Sequence, residues 1–217
     1  MRSARAQRGA DVAVETPPEW QESGEVAARR YGSYAEYLAH QAEKYTIMLR
    51  RQGGLGRRAL LSYRVKFFLR FRPLARLLPR DARIVCAGAR DGTEVEVWRD
   101  LGFANAVGYD LNPGPDNPFV LPGDFNHLPL PDRAAQLYYT NAVDHAFDLE
   151  EMFREARRVI ADDGYALFDI SMSDRGRHEA TAWKRPELVV ARLIDHFPRL
   201  VEVRRWRNWM FVTLRGS

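Results

Sequence analysis

The chain has 217 residues, 46% of them hydrophobic and 29% charged, with a formal net charge of +4. That suits one globular domain with an appended segment, excludes a disordered or collagen-like chain, and does not by itself imply nucleic acid. A single cysteine, Cys86, rules out an internal disulfide and points to a reducing, cytoplasmic setting, and no apolar run reaches the ~18 residues of a membrane span.

Residues 1–30 carry basic side chains but no continuous apolar stretch of the secretory kind, and read as a flexible tail. A helix is expected over 33–51, opened by a capping box of Ser33 and Glu36, with Tyr34, Tyr37, Leu38, Gln41, Tyr45, Met48 and Leu49 near one face. The glycines of QGGLG end it, and a second helical segment over 60–78 is broken at Pro73. Together 31–80 are expected to form a helical unit ahead of the sheet. Its arginines and lysine (Arg57, Arg58, Arg64, Lys66, Arg70, Arg72, Arg76) alternate with Phe67, Phe68 and Phe71. Two readings stand: a basic amphipathic surface for RNA or membrane, or a solvated face docked on a core, the second being preferred.

From residue 81 to 217 short apolar runs alternate with helical stretches. Strands are expected at 84–87, 106–109, 119–121, 136–140 and 166–170, and helices at 93–101, 149–160 and 187–196. Asp148 with Glu151 caps the middle helix, Gly102 stops the first, and Gly164 closes the turn after the second. Two late apolar runs, 200–203 and 209–214, suit an antiparallel pair at a sheet edge. This alternation predicts an α/β fold with a parallel sheet covered on both faces.

In such a sheet ligands bind where the strands end. Gly88 and Gly92 follow the first strand, and the helix after them presents free N–H groups to a negative group. A plain tight turn explains them equally well. Asp110 ends the next strand, placed either to accept from ribose hydroxyls or to cap the turn that Asn112, Pro113 and Gly114 would make. NAD enzymes share such an acid, but G-x-G-x-x-G is missing here, and Asp91 within the turn is poor company for a pyrophosphate. Asp124 is a candidate acceptor for an adenine amino group and Phe125 a cover for the ring, against a turn with a buried aromatic.

Taken jointly, CAGARDGTEV, GYDLNP, GDFNHLPLPD, YTNAVDH and REARRVIADDGYALFDI, over 82–170, resemble the class I S-adenosylmethionine-dependent methyltransferase family. The resemblance implies a doubly wound, mostly parallel seven-stranded Rossmann-like sheet with an N-terminal helical lid, and S-adenosyl-L-methionine as cofactor. It implies that Ala87, Gly88 and Gly92 pass beneath the methionine part, that Asp110 holds the ribose with Leu111 against the adenine, that Asp124 and Phe125 recognise the adenine, and that Asn141 and Ala142 border the sulfonium. Two departures stand out: Cys86 occupies the place of the family's usual acidic residue, and Ala161-Asp162-Asp163-Gly164 replaces a turn that in many members holds a proline and two glycines.

A hydroxyl acceptor must lose its proton, and His145 is the candidate general base, oriented by Asp144 or Asp148. A helix-capping or pocket-lining histidine is the alternative, and His127 and His178 are weaker candidates. Asp144, His145 and Asp169 are a conceivable divalent-metal set without a metal-binding spacing. The expected reaction is O-methylation of a small metabolite or saccharide. Methylation of RNA or another macromolecule is the runner-up, and a cofactor-binding partner protein without catalysis is a third reading. A homodimer is compatible with the sequence. The 171–184 loop and Tyr31, Tyr34, Tyr37 and Tyr45 lie on the acceptor side, where the tyrosines serve either a ligand or, by preference, helix packing.

Overall fold

The computed structural model describes residues 17–52, 57–114, 118–172 and 175–216. The first elements are short: strands β1 (Trp20–Ser23) and β2 (Val26–Arg29), then helices α1 (Tyr34–Gln52) and α2 (Arg57–Phe71). Alternation then begins with β3 (Ile84–Ala87), α3 (Thr93–Asp100), β4 (Ala106–Asp110), β5 (Val120–Pro122) and β6 (Ala135–Thr140). The chain continues through α4 (Leu149–Val159), β7 (Ile160–Ser171), β8 (Thr181–Trp183), α5 (Glu187–His196), β9 (Arg199–Trp206) and β10 (Trp209–Arg215).

Seven strands form one sheet in the order β5-β4-β3-β6-β7-β10-β9. The first five run parallel, and β10 pairs antiparallel with both β7 and β9. Side chains alternate between the two faces, as the pleat requires. From β3, Val85 and Ala87 join a core with α4 and α5, while Ile84 and Cys86 join a second core with α2 and α3. In the second core Trp98 stacks on Phe71 with ring centroids 4.4 Å apart. Both faces are thus buried, which is why the strands read as apolar runs. The sheet order reverses at β3, between β4 and β6, and a crevice opens there at the carboxyl ends.

Three expectations need correction. Residues 20–29, expected as tail, form a hairpin whose second strand pairs with β8, giving a separate sheet in the order β1-β2-β8. Its turn is Gly24-Glu25, with Gly24 at φ 67, a two-residue connection that glycine favours. The 171–184 loop accordingly contains a strand. Gly164 closes a bulge inside a strand and not a turn between elements: β7 leaves α4 directly at Ile160, and its register on β6 jumps from Ile160 to Tyr165. A Cβ at Gly164 would come within 3.0 Å of the Gln136 carbonyl oxygen on the neighbouring strand, so glycine serves close strand packing there.

The helices follow their local signals. Ser33 Oγ accepts from Glu36 N at 3.2 Å, and Asp148 Oδ1 accepts from Glu150 N and Glu151 N at 2.9 and 3.1 Å. Pro73 follows the end of α2 and opens a single 3-10 turn. Among the described residues, no helix is long and apolar enough to cross a membrane.

Candidate functional site

A cavity of about 310 Å³ lies at the switch in strand order. Of the residues picked from sequence, Gly88, Asp110, Leu111, Phe125, Asn141, Ala142 and His145 form its wall. Ala87, Gly92 and Asp124 do not. Ala87 is buried at the end of β3, and Gly92 caps α3 with φ 72. Asp124 is covered instead: its carboxylate accepts from Asn126 N at 2.8 Å and, at close range, from the Tyr34 hydroxyl.

The turn after β3 is built for close approach. Gly88 has φ 74, and a Cβ there would lie 2.6 Å from the Cβ of Ala142. Arg90, two residues on, also has a positive φ, 29, and its N–H donates to Asp110 Oδ2 at 2.9 Å. Asp110 Oδ1 accepts from Asn112 N at 2.7 Å. These two bonds fix the carboxylate at the end of β4, and each oxygen keeps a lone pair for a further donor. With only 8% of its surface exposed, Asp110 is an ordered acceptor rather than a solvated charge.

His145 lies in a short 3-10 turn, 143–145, after β6. Its Nδ1 is 3.0 Å from the His178 carbonyl oxygen, which can only accept, so Nδ1 carries the proton. Nε2 is therefore bare, and it lies 2.5 Å from Lys44 Nζ, which donates to it. Burial first, and the Lys44 charge second, drive the imidazole well below its ordinary range and keep it neutral. Lys44 is itself pushed down to about 8, by burial and then by the nearby Arg90. Asp144 Oδ1 is 3.8 Å from His145 Nε2, and Asp144 Oδ2 accepts from Ser171 Oγ at 2.8 Å. Asp148 is spent on the α4 cap and does not orient the ring.

Other expected players stand elsewhere. Asp169 is buried in a cluster with Arg70, Lys66 and Tyr139, not with the Asp144–His145 pair. The ligand atoms of Asp144, His145 and Glu179 lie within 4.8 Å of one another, but Lys44 occupies the His145 nitrogen that a metal ion would need. His178 contributes its carbonyl rather than its ring, and His127 is exposed outside the wall.

Sequence reading gave no site role to Lys44, Glu94, Arg90, Tyr63, Phe67 and Trp209, which also line the cavity. Tyr37, Gln41 and Lys44 project from one face of α1, spaced four and three residues apart. That spacing was visible, but a lysine on a helix face ordinarily reads as solvated. Tyr37 is fully buried and donates from its hydroxyl to the His145 carbonyl at 3.0 Å. Tyr31, Tyr34 and Tyr37 pack with Phe147, their centroids 5.1–5.9 Å from its ring, and Tyr37 also lines the cavity. The side chain of Tyr45 lies outside the described residues, as do those of Arg57 and Arg58.

Residues 85–168 match a family described as a methyltransferase domain. No curated protein sequence matches the chain. Solved structures share the fold at low identity. A Burkholderia thailandensis 1,6-didemethyltoxoflavin-N1-methyltransferase, with bound 1,6-didemethyltoxoflavin and S-adenosylhomocysteine, is 15% identical with a TM-score of 0.65, over 91% of this chain and 98% of that one. A chain from the complex of the Haloferax volcanii Trm112 methyltransferase activator with a methyltransferase is 13% identical with a TM-score of 0.58, over 84% and 98%. An S-adenosylmethionine-dependent methyltransferase from Mesorhizobium loti is 17% identical with a TM-score of 0.53, over 67% and 97%.

Proposed function

We propose, from the premise that residues 85–168 are a class I S-adenosylmethionine-dependent methyltransferase domain, that the chain methylates a hydroxyl of a small metabolite or saccharide. The observation that carries the reading is Asp110, held by two backbone N–H groups at the end of β4 and facing the cavity beside the Gly88 turn. The residues fit the cofactor. Asp110 offers two acceptors for vicinal ribose hydroxyls, Phe125 and Leu111 offer apolar cover for a flat base, and the bare Gly88 turn lets backbone approach.

When bound, S-adenosylmethionine supplies an activated methyl group on a sulfonium. The chain must then position the acceptor, exclude water and take up a proton. Helix α1 covers the cavity with Tyr37, Gln41 and Lys44, in keeping with the role of a lid. For the proton acceptor, the Lys44–His145 pair is assigned in place of His145 alone. Neutral His145 has its Nε2 lone pair committed to Lys44, whereas Lys44 exchanges its proton at about pH 8. His145 therefore positions the amine that does the work.

For a small acceptor, the support is that the Burkholderia enzyme, similar over most of this chain, is named for a small-molecule reaction. The basic stripe of 57–80 lends RNA little support, because Lys66 and Arg70 turn inward and Arg64 docks on Glu96 and Asp100 of α3. Calorimetric titration with S-adenosylhomocysteine tests the cofactor assignment. Binding is expected, with Asp110→Ala weakening it by about 10–100-fold; no heat from the wild type sinks the reading. Labelled methyl donor with fractionated extract then tests the acceptor. Label in small molecules supports the proposal, label in RNA supports the macromolecular alternative, and binding without transfer leaves a cofactor-binding partner protein.

A further inference from the structure

Glu94 has no part in the reaction as described, yet it lies in the cavity wall with Gly88, Asn141 and Ala142. It occupies the first turn of α3 and is only 5% exposed. The charges that bear on it are those of Lys66 from α2, Asp110 from β4 and Asp91 from the turn, while its own charge bears on Tyr63 of α2, Cys86 of β3 and Tyr139 of β6. Lys66 is committed to Asp169 at 3.2 Å, and among the described residues no cation stands within ion-pair distance of Glu94. Its own backbone N–H is the hydrogen-bond donor to the carboxyl.

A buried carboxylate facing two other acids, without a paired cation, is costly as an anion. Its value accordingly rises to about 8, through burial before anything else. Such a group in a ligand cavity is suited to a cation brought from outside. S-adenosylmethionine carries two. The sulfonium has no N–H to donate, but the α-ammonium has three and can make charge-assisted hydrogen bonds. Glu94 also lies near Cys86, the residue that stands where an acid was expected.

We propose that Glu94 is the receptor for the α-ammonium of the cofactor's methionine part, supplying from α3 the carboxylate that β3 lacks. This rests on the methyltransferase reading. The exchange balances simply: the Glu94 carboxyl releases its proton to solvent, and the ammonium keeps its own. Cofactor binding near neutral pH is thereby coupled to release of up to one proton.

Two nucleosides separate this idea from its premise. S-adenosylhomocysteine has the α-ammonium, and 5′-methylthioadenosine lacks the amino-acid part. Calorimetry at pH 7 in buffers of different ionisation enthalpy should show proton release with the first and none with the second. Glu94→Gln should weaken S-adenosylhomocysteine by about 10-fold or more, abolish the proton release, and leave methylthioadenosine unchanged. Equal proton counts for both ligands, or equal loss of both in Glu94→Gln, overturns the proposal. The wild-type measurement stands even if the variant does not fold. If neither nucleoside binds the wild type, the cofactor reading itself falls.

Discussion

At the scale of single residues, the site turns on two buried groups whose charge states are set by their surroundings. Lys44 must be neutral to accept a proton, and burial brings its exchange down to about pH 8. Turnover is therefore expected to rise with pH and level off above about 8. No inflection should appear near the ordinary histidine value, because His145 stays neutral throughout. Lys44→Met should cost about 10²–10⁴-fold in kcat while S-adenosylhomocysteine binding changes far less, as steady-state kinetics and titration would show. Glu94 behaves oppositely to an ordinary glutamate. Its folded value lies above its unfolded one, so the free protein is most stabilised by this group below about pH 4.5 and loses that contribution as pH rises towards 8. Glu94→Gln should accordingly raise the melting temperature of the ligand-free protein at pH 8, by about 2–4 °C for each kcal/mol gained, with the difference vanishing near pH 5. Asp110, Gly88 and Phe125 could be picked from sequence because strand ends and glycine turns are locally encoded. Lys44 and Glu94 could not, since which charged residue is buried depends on packing between distant segments.

At the scale of elements, α2 shows how a basic stripe can be structural. Arg70 donates from Nε to Asp169 at 3.0 Å and from its two terminal nitrogens to Thr213 Oγ1 and the Val212 carbonyl, tying α2 to β7 and β10. Lys66 sits 3.2 Å from the same carboxylate, with its Nζ 3.4 Å from the centre of the Trp209 ring. Tyr139 donates to Asp169 from β6 at 2.8 Å. Asp169→Asn would leave two buried cations short of their anion and should cost about 3–5 kcal/mol, read from the denaturant midpoint. Arg64→Ala, which removes only half-exposed pairs, should cost within about 1 kcal/mol by the same measurement. Capped amphipathic helices such as α4 and the apolar parallel strands were legible because periodicity alone encodes them. The early start of β7 was not, because ADDG has turn composition and forms a bulge between the Ala135–Ile160 and Leu137–Tyr165 pairs. Strands β1 and β8, of four and three residues, are too short to carry a period.

At the scale of the whole molecule, the ends of the sheet strands supply the floor of the site, and α1 and α2 add Tyr37, Gln41, Lys44, Tyr63 and Phe67 to its wall. The doubly wound architecture was readable, but the small second sheet was not, since its pairing joins residues 26–28 to 181–183. Arg29 binds the two together. Its guanidinium donates to the carbonyls of Glu179 at 2.7 Å, Gly176 at 2.7 Å and Arg177 at 3.0 Å, and to Pro18. The same stretch presents the His178 carbonyl to His145 and to Gln41 Nε2, and the Arg177 carbonyl to His40. Arg29→Ala should therefore loosen 176–179, lower turnover by about 10-fold or more as His145 loses its fixed orientation, and hasten proteolytic nicking near Arg175 and Arg177, followed on a gel. A wider consequence concerns traffic. The hairpin and the 176–184 stretch lie outside the cavity wall, but the His178 carbonyl joins them to it through Gln41 of α1 and His145. The waiting time for nucleoside exchange should then follow the strength of the β2–β8 seam, and a mutation in β2, outside the wall, would be felt as a change in residence time.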